Sequence, residues 1–377
     1  MSERRVVRSL GVAAPWRLAF FDLEDEPPRD GGFRVGTVCT GLSTGTELSW
    51  FKGTNPALTS RWDERLQVFD GAGAESGYPV RTLGYMEAGV VTASRTPALA
   101  EGDMVAMAYG HKTGHTAGPG DRFVVLPEGL DPVLGTLVAH MGPICANGLL
   151  HAAAEAAGRD VRALGDGVRD RLVLVMGGGV VGLLVGLLAR HHGAAEVLVA
   201  DPTRERRAAA EALGLDALDT AGGADWRTVK ERWRHGPADS GADVAFQCRG
   251  RPAALASALR ALRPQGTVID LAFYQDGAAE VRLGEEFHHN GLGVRCAQIR
   301  RVPRGLAGAW DRDRLSAETV DLLAAHGDAV RKHLVTDVVP LEEAPALIEA
   351  IAGRRRHTLQ AVFTVDQGWA ARSSTRS

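Results

Sequence analysis

From Val6 to Leu126 apolar residues come in short runs broken by Gly, Pro and Asp, as in Phe33–Cys39, Gly89–Ala93, Met104–Ala108 and Arg122–Leu126. This spacing predicts β-strands. Between them Thr54–Tyr78 is polar, glycine-rich and aromatic, which predicts a surface excursion anchored by Trp62 and Phe69. Near Gly135 the pattern changes: Thr136–Ala157 is rich in Ala and Leu with apolar residues at helical spacing, interrupted at Pro143, and predicts a helix leading out of the first domain. Strands and helices then alternate: Leu172–Met176, Val180–His192, Glu196–Ala200, Pro202–Leu213, and, further on, Ala242–Gln247, Ala253–Leu262 and Thr267–Ala272. That order belongs to a parallel sheet with helices on both faces. Beyond about Arg301, helices are expected around Ser316–Ala325 and Glu342–Ala352, a closing strand over Gln360–Val365, and a frayed tail at Ala371–Ser377.

The 377 residues suffice for two domains, and with 45% hydrophobic and 24% charged residues each can bury a core without disulfide or metal staples. A net charge of −3 and a pI near 6.5 leave no positive field for a polyanion, so neither nucleic acid nor a membrane surface is expected as a partner. Met1–Leu10 carries charges but no apolar core of a signal segment, and the apolar stretch Leu172–Ala189 is interrupted by glycines; a cytoplasmic location is expected. Cys39, Cys145, Cys248 and Cys296 lie far apart, which fits reduced thiols and argues against a clustered four-cysteine zinc site.

The segment Gly177-Gly178-Gly179-Val180-Val181-Gly182 places Gly-x-Gly-x-x-Gly directly after an apolar strand and at the mouth of an apolar helix. In that context Gly177 permits the tight turn, Gly179 lets a pyrophosphate approach the backbone, and Gly182 lets helix and strand pack closely. The helix N-terminus adds amide donors at Val180 and Val181 and a positive dipole. Asp201 ends the second strand, where a carboxylate can accept from ribose hydroxyls, which favours NAD over NADP; Arg204, Arg206 and Arg207 partly offset its repulsion of a 2′-phosphate. Cys248-Arg249-Gly250 follows a later strand at the rim where a parallel sheet holds its cofactor.

A β-rich first part, a dinucleotide fold and a C-terminal return together resemble the medium-chain dehydrogenase/reductase superfamily, relatives of the zinc alcohol dehydrogenases. Gly45-Thr46-Glu47-Leu48, Gly53-Thr54-Asn55-Pro56, Gly84-Tyr85, Gly110-His111-Lys112 and Glu286-Phe287-His288-His289-Asn290 are similar to a bacterial branch related to bacteriochlorophyllide dehydrogenase. The resemblance implies an α/β chain: a doubly wound Rossmann domain over residues 146–300 and a chaperonin-10-like β-barrel catalytic domain over 1–145, completed by 301–377. It also implies a cofactor in the cleft between domains, Asn147 near the nicotinamide, Glu286–Asn290 near the cleft or a subunit contact, and a homodimer. Zinc-dependent members carry Cys-Gly-x-Asp/Glu and Gly-His-Glu motifs; here Thr44-Gly45-Thr46-Glu47 and Gly84-Tyr85-Met86 stand in their place. Thr44, Tyr85 and Met86 thus replace Cys, His and Glu, and no zinc is expected, the alternative donors being Glu47, His111, His115, His140 and Cys145.

Without a metal, side chains must stabilise the negative charge that hydride transfer builds on oxygen. Tyr85, Thr44 and Lys112 are the candidate donors. His111 is the candidate proton carrier, histidine being the residue type suited to acid–base work near neutral pH, with Glu47 as an orienter or a second base and Trp50 a candidate pocket wall. The expected activity is interconversion of a secondary alcohol and a ketone on a polar small molecule such as a sugar, cyclitol or tailoring intermediate. The alternatives are reduction of an activated C=C bond, a redox-neutral epimerisation, and nucleotide sensing without catalysis.

Overall fold

The computed structural model describes residues 4–71, 73, 77–223, 225–274 and 277–365; the tail expected to fray lies outside them. These residues form two compact units, one of residues 4–140 with 335–365 and one of residues 141–334. Among them no helix is long and apolar enough to cross a membrane.

The first unit begins with the hairpin Arg5–Ala14 and Arg17–Asp25. Its main sheet runs in the order Val335–Pro340, Gln360–Thr364, Phe33–Gly41, Glu87–Ser94, Met104–Met107 and Phe123–Val125, and Gly114–Ala117 pairs with the first half of Phe33–Gly41. All these pairings are antiparallel except Val335–Pro340 with Gln360–Thr364. Alternate residues face inward, so Phe33, Val35, Val91, Val105 and Met107 build one core, and Leu10, Val12, Leu42, Phe51, Leu341, Ile348 and Phe363 another. The expected excursion between residues 54 and 78 holds a short hairpin in which the rings of Trp62 and Phe69 meet edge to face at 5.0 Å.

The second unit contains a six-stranded parallel sheet in the order Asp216–Leu218, Glu196–Ala200, Leu172–Met176, Ala242–Gln247, Leu262–Asp270 and Gly293–Cys296. Counted along the chain this is 3-2-1-4-5-6, the doubly wound dinucleotide-binding order. Its central strands Leu172–Met176, Glu196–Ala200 and Ala242–Gln247 are buried on both faces, which is why they read as continuous apolar runs. Helix Met141–Ala157 starts later than its apolar pattern suggests, and Pro143 falls in its first turn, where a missing N–H has no partner to lose.

The return to the first unit begins at Val335 and not near Arg301. The reason is the helix Arg312–His333, longer than expected, which packs against Met141–Ala157; a Cβ on Gly142 would lie 2.1 Å from the Thr319 side chain. Two strands of the sheet, Asp216–Leu218 and Gly293–Cys296, are too short to have announced themselves as periodic runs.

Candidate active site

In the second unit, Leu172–Met176 delivers the chain into the glycine turn and Val180–His191 carries it away. Gly177 sits at φ +105°, a conformation that only glycine adopts without strain. A Cβ on Gly182 would stand 1.8 Å from the Gly177 carbonyl oxygen, so the helix can lie this close to the strand only with glycine there. Nothing lies within 4 Å of where a Gly179 Cβ would be, and amides in the first helical turn have no acceptor within the helix. The turn is a cradle that fits a pyrophosphate.

Asp201 is fully buried beneath this turn. Its carboxylate accepts from the Gly178 amide at 2.9 Å and the Thr203 amide at 2.7 Å, with the Arg206 guanidinium at 3.4 Å. Burial pushes its acidity down, but the two amides and the arginine together outweigh burial and hold the carboxyl below its ordinary range. Asp201 therefore stays ionised and locks the turn to the second strand.

Cys248 follows the fourth strand, and its amide bonds to Met176 O at 2.9 Å, which sets Arg249 against Gly177. Burial raises the Cys248 thiol pKa well above its usual value, so the thiol stays protonated. Three residues that sequence reasoning passed over brace this rim. Gln247 Nε2 donates to Arg249 O at 2.9 Å and to the Tyr274 hydroxyl at 3.2 Å, and Tyr274 donates to Asp270 Oδ2 at 2.9 Å. Burial raises the Asp270 pKa against the opposing pull of the Ala272 amide and Tyr274.

The segment Glu286–Asn290 was expected near the cofactor cleft or a subunit contact. His289 and Asn290 line a cavity with Arg171, Asp243 and Arg263 at the amino ends of the strands, opposite the glycine turn.

In the first unit, strand Phe33–Gly41 presents Thr40 inward, and the turn after it leads into the short helix Thr46–Lys52 with Glu47 in its first turn. Glu47 and His111 are both buried. Glu47 Oε1 accepts from the Ser43 amide at 2.8 Å, and Glu47 Oε2 meets His111 Nε2 at 2.7 Å. His111 Nδ1 lies 2.7 Å from the Thr40 hydroxyl. An ionised carboxylate can only accept, so Nε2 donates to it and a neutral ring accepts at Nδ1 from Thr40.

The group continues through Ser43, whose hydroxyl is paired with the hydroxyl of half-buried Tyr85; the Tyr85 ring in turn meets the ring of His140 edge to face at 4.6 Å. Thr44, half-buried, stands beside Ser43. The link between Glu47 and Ser43 is a backbone amide, which does not pass protons on. Glu47 fixes the turn that carries Ser43, and the His111 ring is enclosed with both nitrogens engaged, by Glu47 and by Thr40.

Lys112 also differs from its expected role. It forms an isolated bridge with Ser9, and its side chain takes other partners than that of His111. Its ammonium sits 5.4 Å from the Tyr109 ring centroid, and burial lowers its pKa against the fields of Glu87 and Asp25. There it joins a second polar group in which Thr37 donates to Glu87 and His115 stacks on Tyr109 at 3.7 Å.

Neither Ser43 nor Thr40 was singled out from the sequence. The available signal was Ser43-Thr44-Gly45-Thr46-Glu47, hydroxyls in a turn four residues before a carboxylate at a helix start. The zinc-ligand positions hold Thr44, Tyr85 and fully buried Met86. Of the alternative donors, Glu47 pairs with His111, His115 lies near Glu87 at 3.5 Å, and Cys145 belongs to the other unit. Among the described residues no group of three or more His, Cys, Asp or Glu is arranged to hold a metal ion. This donor set does not fit zinc.

The glycine cradle, an ionised acid at the end of the second strand and the 3-2-1-4-5-6 sheet define a dinucleotide-binding protein. Residues 180–304 match the family model described as zinc-binding dehydrogenase. D-guloside 3-dehydrogenase of Escherichia coli K12 is 30% identical over 189 residues, 48% of this chain and 52% of that protein, so the match spans about half the length of this curated relative. Two solved structures are similar over nearly the whole chain. Galactitol-1-phosphate dehydrogenase from Escherichia coli has a TM-score of 0.72 at 16% identity, covering 95% of this chain and 99% of its own. A short chain alcohol dehydrogenase from Escherichia coli CFT073, complexed with cofactor NADH, has a TM-score of 0.68 at 16% identity, covering 96% and 100%. Residues 180–304 are thus similar to the zinc-binding dehydrogenases, and the chain shares the fold of these solved dehydrogenases.

Proposed function

We propose that this protein is a zinc-independent NAD(P)(H)-dependent oxidoreductase that interconverts a secondary alcohol and a ketone on a polyhydroxylated small molecule of the sugar or polyol class. The observation that carries the reading is the Ser43–Tyr85 hydroxyl pair at a position where zinc-dependent relatives place a metal ligand. Support for the substrate class comes from the names of the relatives, a guloside and a galactitol phosphate dehydrogenase. NAD(H) is the proposed form of the cofactor, because the ionised Asp201 at the strand end disfavours a 2′-phosphate. A homodimer is part of the proposal.

A nicotinamide, when bound, supplies or accepts the hydride. The chain's own residues do the rest. Gly177–Gly182 bind the pyrophosphate through backbone amides, and Asp201 keeps that turn in place. The Tyr85 hydroxyl, oriented by Ser43 in the turn that Glu47 holds, donates to the substrate oxygen as negative charge grows there, and the proton that completes the alcohol is drawn from solvent. Thr44 is a second hydroxyl for the same oxygen.

The test is a panel of keto-sugars, keto-cyclitols and enones offered to the purified protein with NADH and NADPH carrying deuterium at the transferable position. Deuterium on a carbinol carbon is the expected result. Deuterium β to a carbonyl would replace this reading with C=C reduction, and nucleotide binding without turnover on any panel member would replace it with nucleotide sensing.

A further inference from the structure

Asn147, in helix Met141–Ala157, was expected to touch the cofactor, yet its side chain is fully buried. Its Nδ2 faces three backbone carbonyls, those of Ala297 at 3.2 Å, Gln298 at 3.4 Å and Arg301 at 3.3 Å. A carboxamide nitrogen carries two protons, so at least one of these bonds is shared. The opposite amide orientation would press an oxygen against three carbonyl oxygens, which fixes the assignment. The Oδ1 atom is buried with no hydrogen-bond partner among the described residues, an arrangement that costs stability. One buried side chain thus ties down three carbonyls in five residues of otherwise irregular chain.

The location of that chain gives the arrangement its meaning. Asp270 is opposite Cys296 in the last strand pair, and the Ala297 amide bonds to Asp270 O at 2.9 Å, so Ala297–Arg301 begins where the final two strands end. In a doubly wound sheet the dinucleotide lies along the carboxyl ends of the strands, one half on each side of the switch point. The glycine turn and Asp201 occupy the side of the first three strands, which takes the adenosine half. The other half of the ligand falls over the strands Ala242–Gln247, Leu262–Asp270 and Gly293–Cys296, at the level of the Ala297–Arg301 turn.

We infer that Asn147 is a positioning residue: its buried carboxamide holds the Ala297–Arg301 turn in the conformation that offers backbone groups to the nicotinamide half of the dinucleotide. The inference rests on the nicotinamide-dependent reading above. Asn147 touches neither cofactor nor substrate and acts through the turn.

The test compares ligands with and without the nicotinamide. Calorimetric titrations of the wild type, Asn147→Ala and Asn147→Asp use NADH and ADP-ribose, with NADPH and 2′-phospho-ADP-ribose replacing them if the phosphorylated form binds tighter. The expected result is an ADP-ribose affinity within about twofold of wild type and an NADH affinity weakened about tenfold or more, most in Asn147→Asp, where a carboxylate faces the carbonyls. Equal weakening of both ligands, or unchanged NADH affinity in a folded variant, would overturn the inference. If the variants do not fold, hydrogen exchange in the wild type decides: NADH should slow the amides of residues 298–301 and ADP-ribose should not, and equal protection by both overturns it. Failure of the wild type to bind either nucleotide would remove the nicotinamide reading and this inference with it; intact binding that ignores Asn147 removes only the inference.

Discussion

Tyr85 is oriented through its hydroxyl partner Ser43, and Ser43 through the carboxylate of Glu47, so the hydroxyl proposed to meet the substrate oxygen is held from behind by buried residues. Replacing the hydroxyl alone isolates its contribution. Tyr85→Phe should leave NADH binding unchanged and lower kcat on the best ketone of the panel by about 10²–10³, the usual effect of deleting one donor to a developing oxyanion. Steady-state kinetics beside a binding titration checks this; an unchanged kcat would remove Tyr85 from the chemistry. At this scale the sequence was half legible. The departures at Thr44, Tyr85 and Met86 were legible because a motif is read residue by residue. The surroundings of His111 and Lys112 were not readable, because only the fold brings Thr40 and Glu47 to the first and Tyr109 to the second.

The elements that position the site are the glycine turn and the helix Met141–Ala157. Gly182→Ala would put a methyl group 1.8 Å from the Gly177 carbonyl oxygen, so the helix must withdraw from the strand. The expected outcome is loss of measurable NADH binding and a destabilisation of about 1–3 kcal/mol, read from calorimetry and a urea melt. His151, one turn beyond Asn147, supplies a pH dependence. Burial foremost, then the charge of Arg295, pushes its pKa down to about 4 from the usual 6.5. The folded state therefore resists a proton that the unfolded chain accepts. Stability is unaffected above about pH 6.5, falls as the pH drops through the window down to about 4, and loses of order 3 kcal/mol in total. Urea melts of wild type and His151→Leu across that window should diverge by this amount, and parallel curves would show that the buried ring does not resist protonation. Apolar runs and the spacing of glycines gave the sheet-forming elements away, since strands buried on both faces must be continuously apolar. The strand Gly293–Cys296 and the length of Arg312–His333 were not apparent. The first is four residues long, and the second alternates charged and apolar positions whose burial depends on neighbouring helices.

Over the whole molecule, a second unit with the sheet order of dinucleotide-binding folds and a first unit with the paired hydroxyls of Ser43 and Tyr85 are joined in one chain. The class was legible from the sequence because the glycine turn and the strand–helix alternation are local patterns. The limit of the second unit was misplaced because the chain stays with that unit through Leu334, a matter of packing that no local pattern records. The central claim is that hydroxyl groups have taken over a metal's task. Its most direct measurement is turnover of the best ketone with NADH by protein treated with a strong chelator, its metal content determined on the same sample. The account predicts full turnover with metal far below one ion per chain; turnover that disappears with the metal and returns in proportion to added zinc would contradict it.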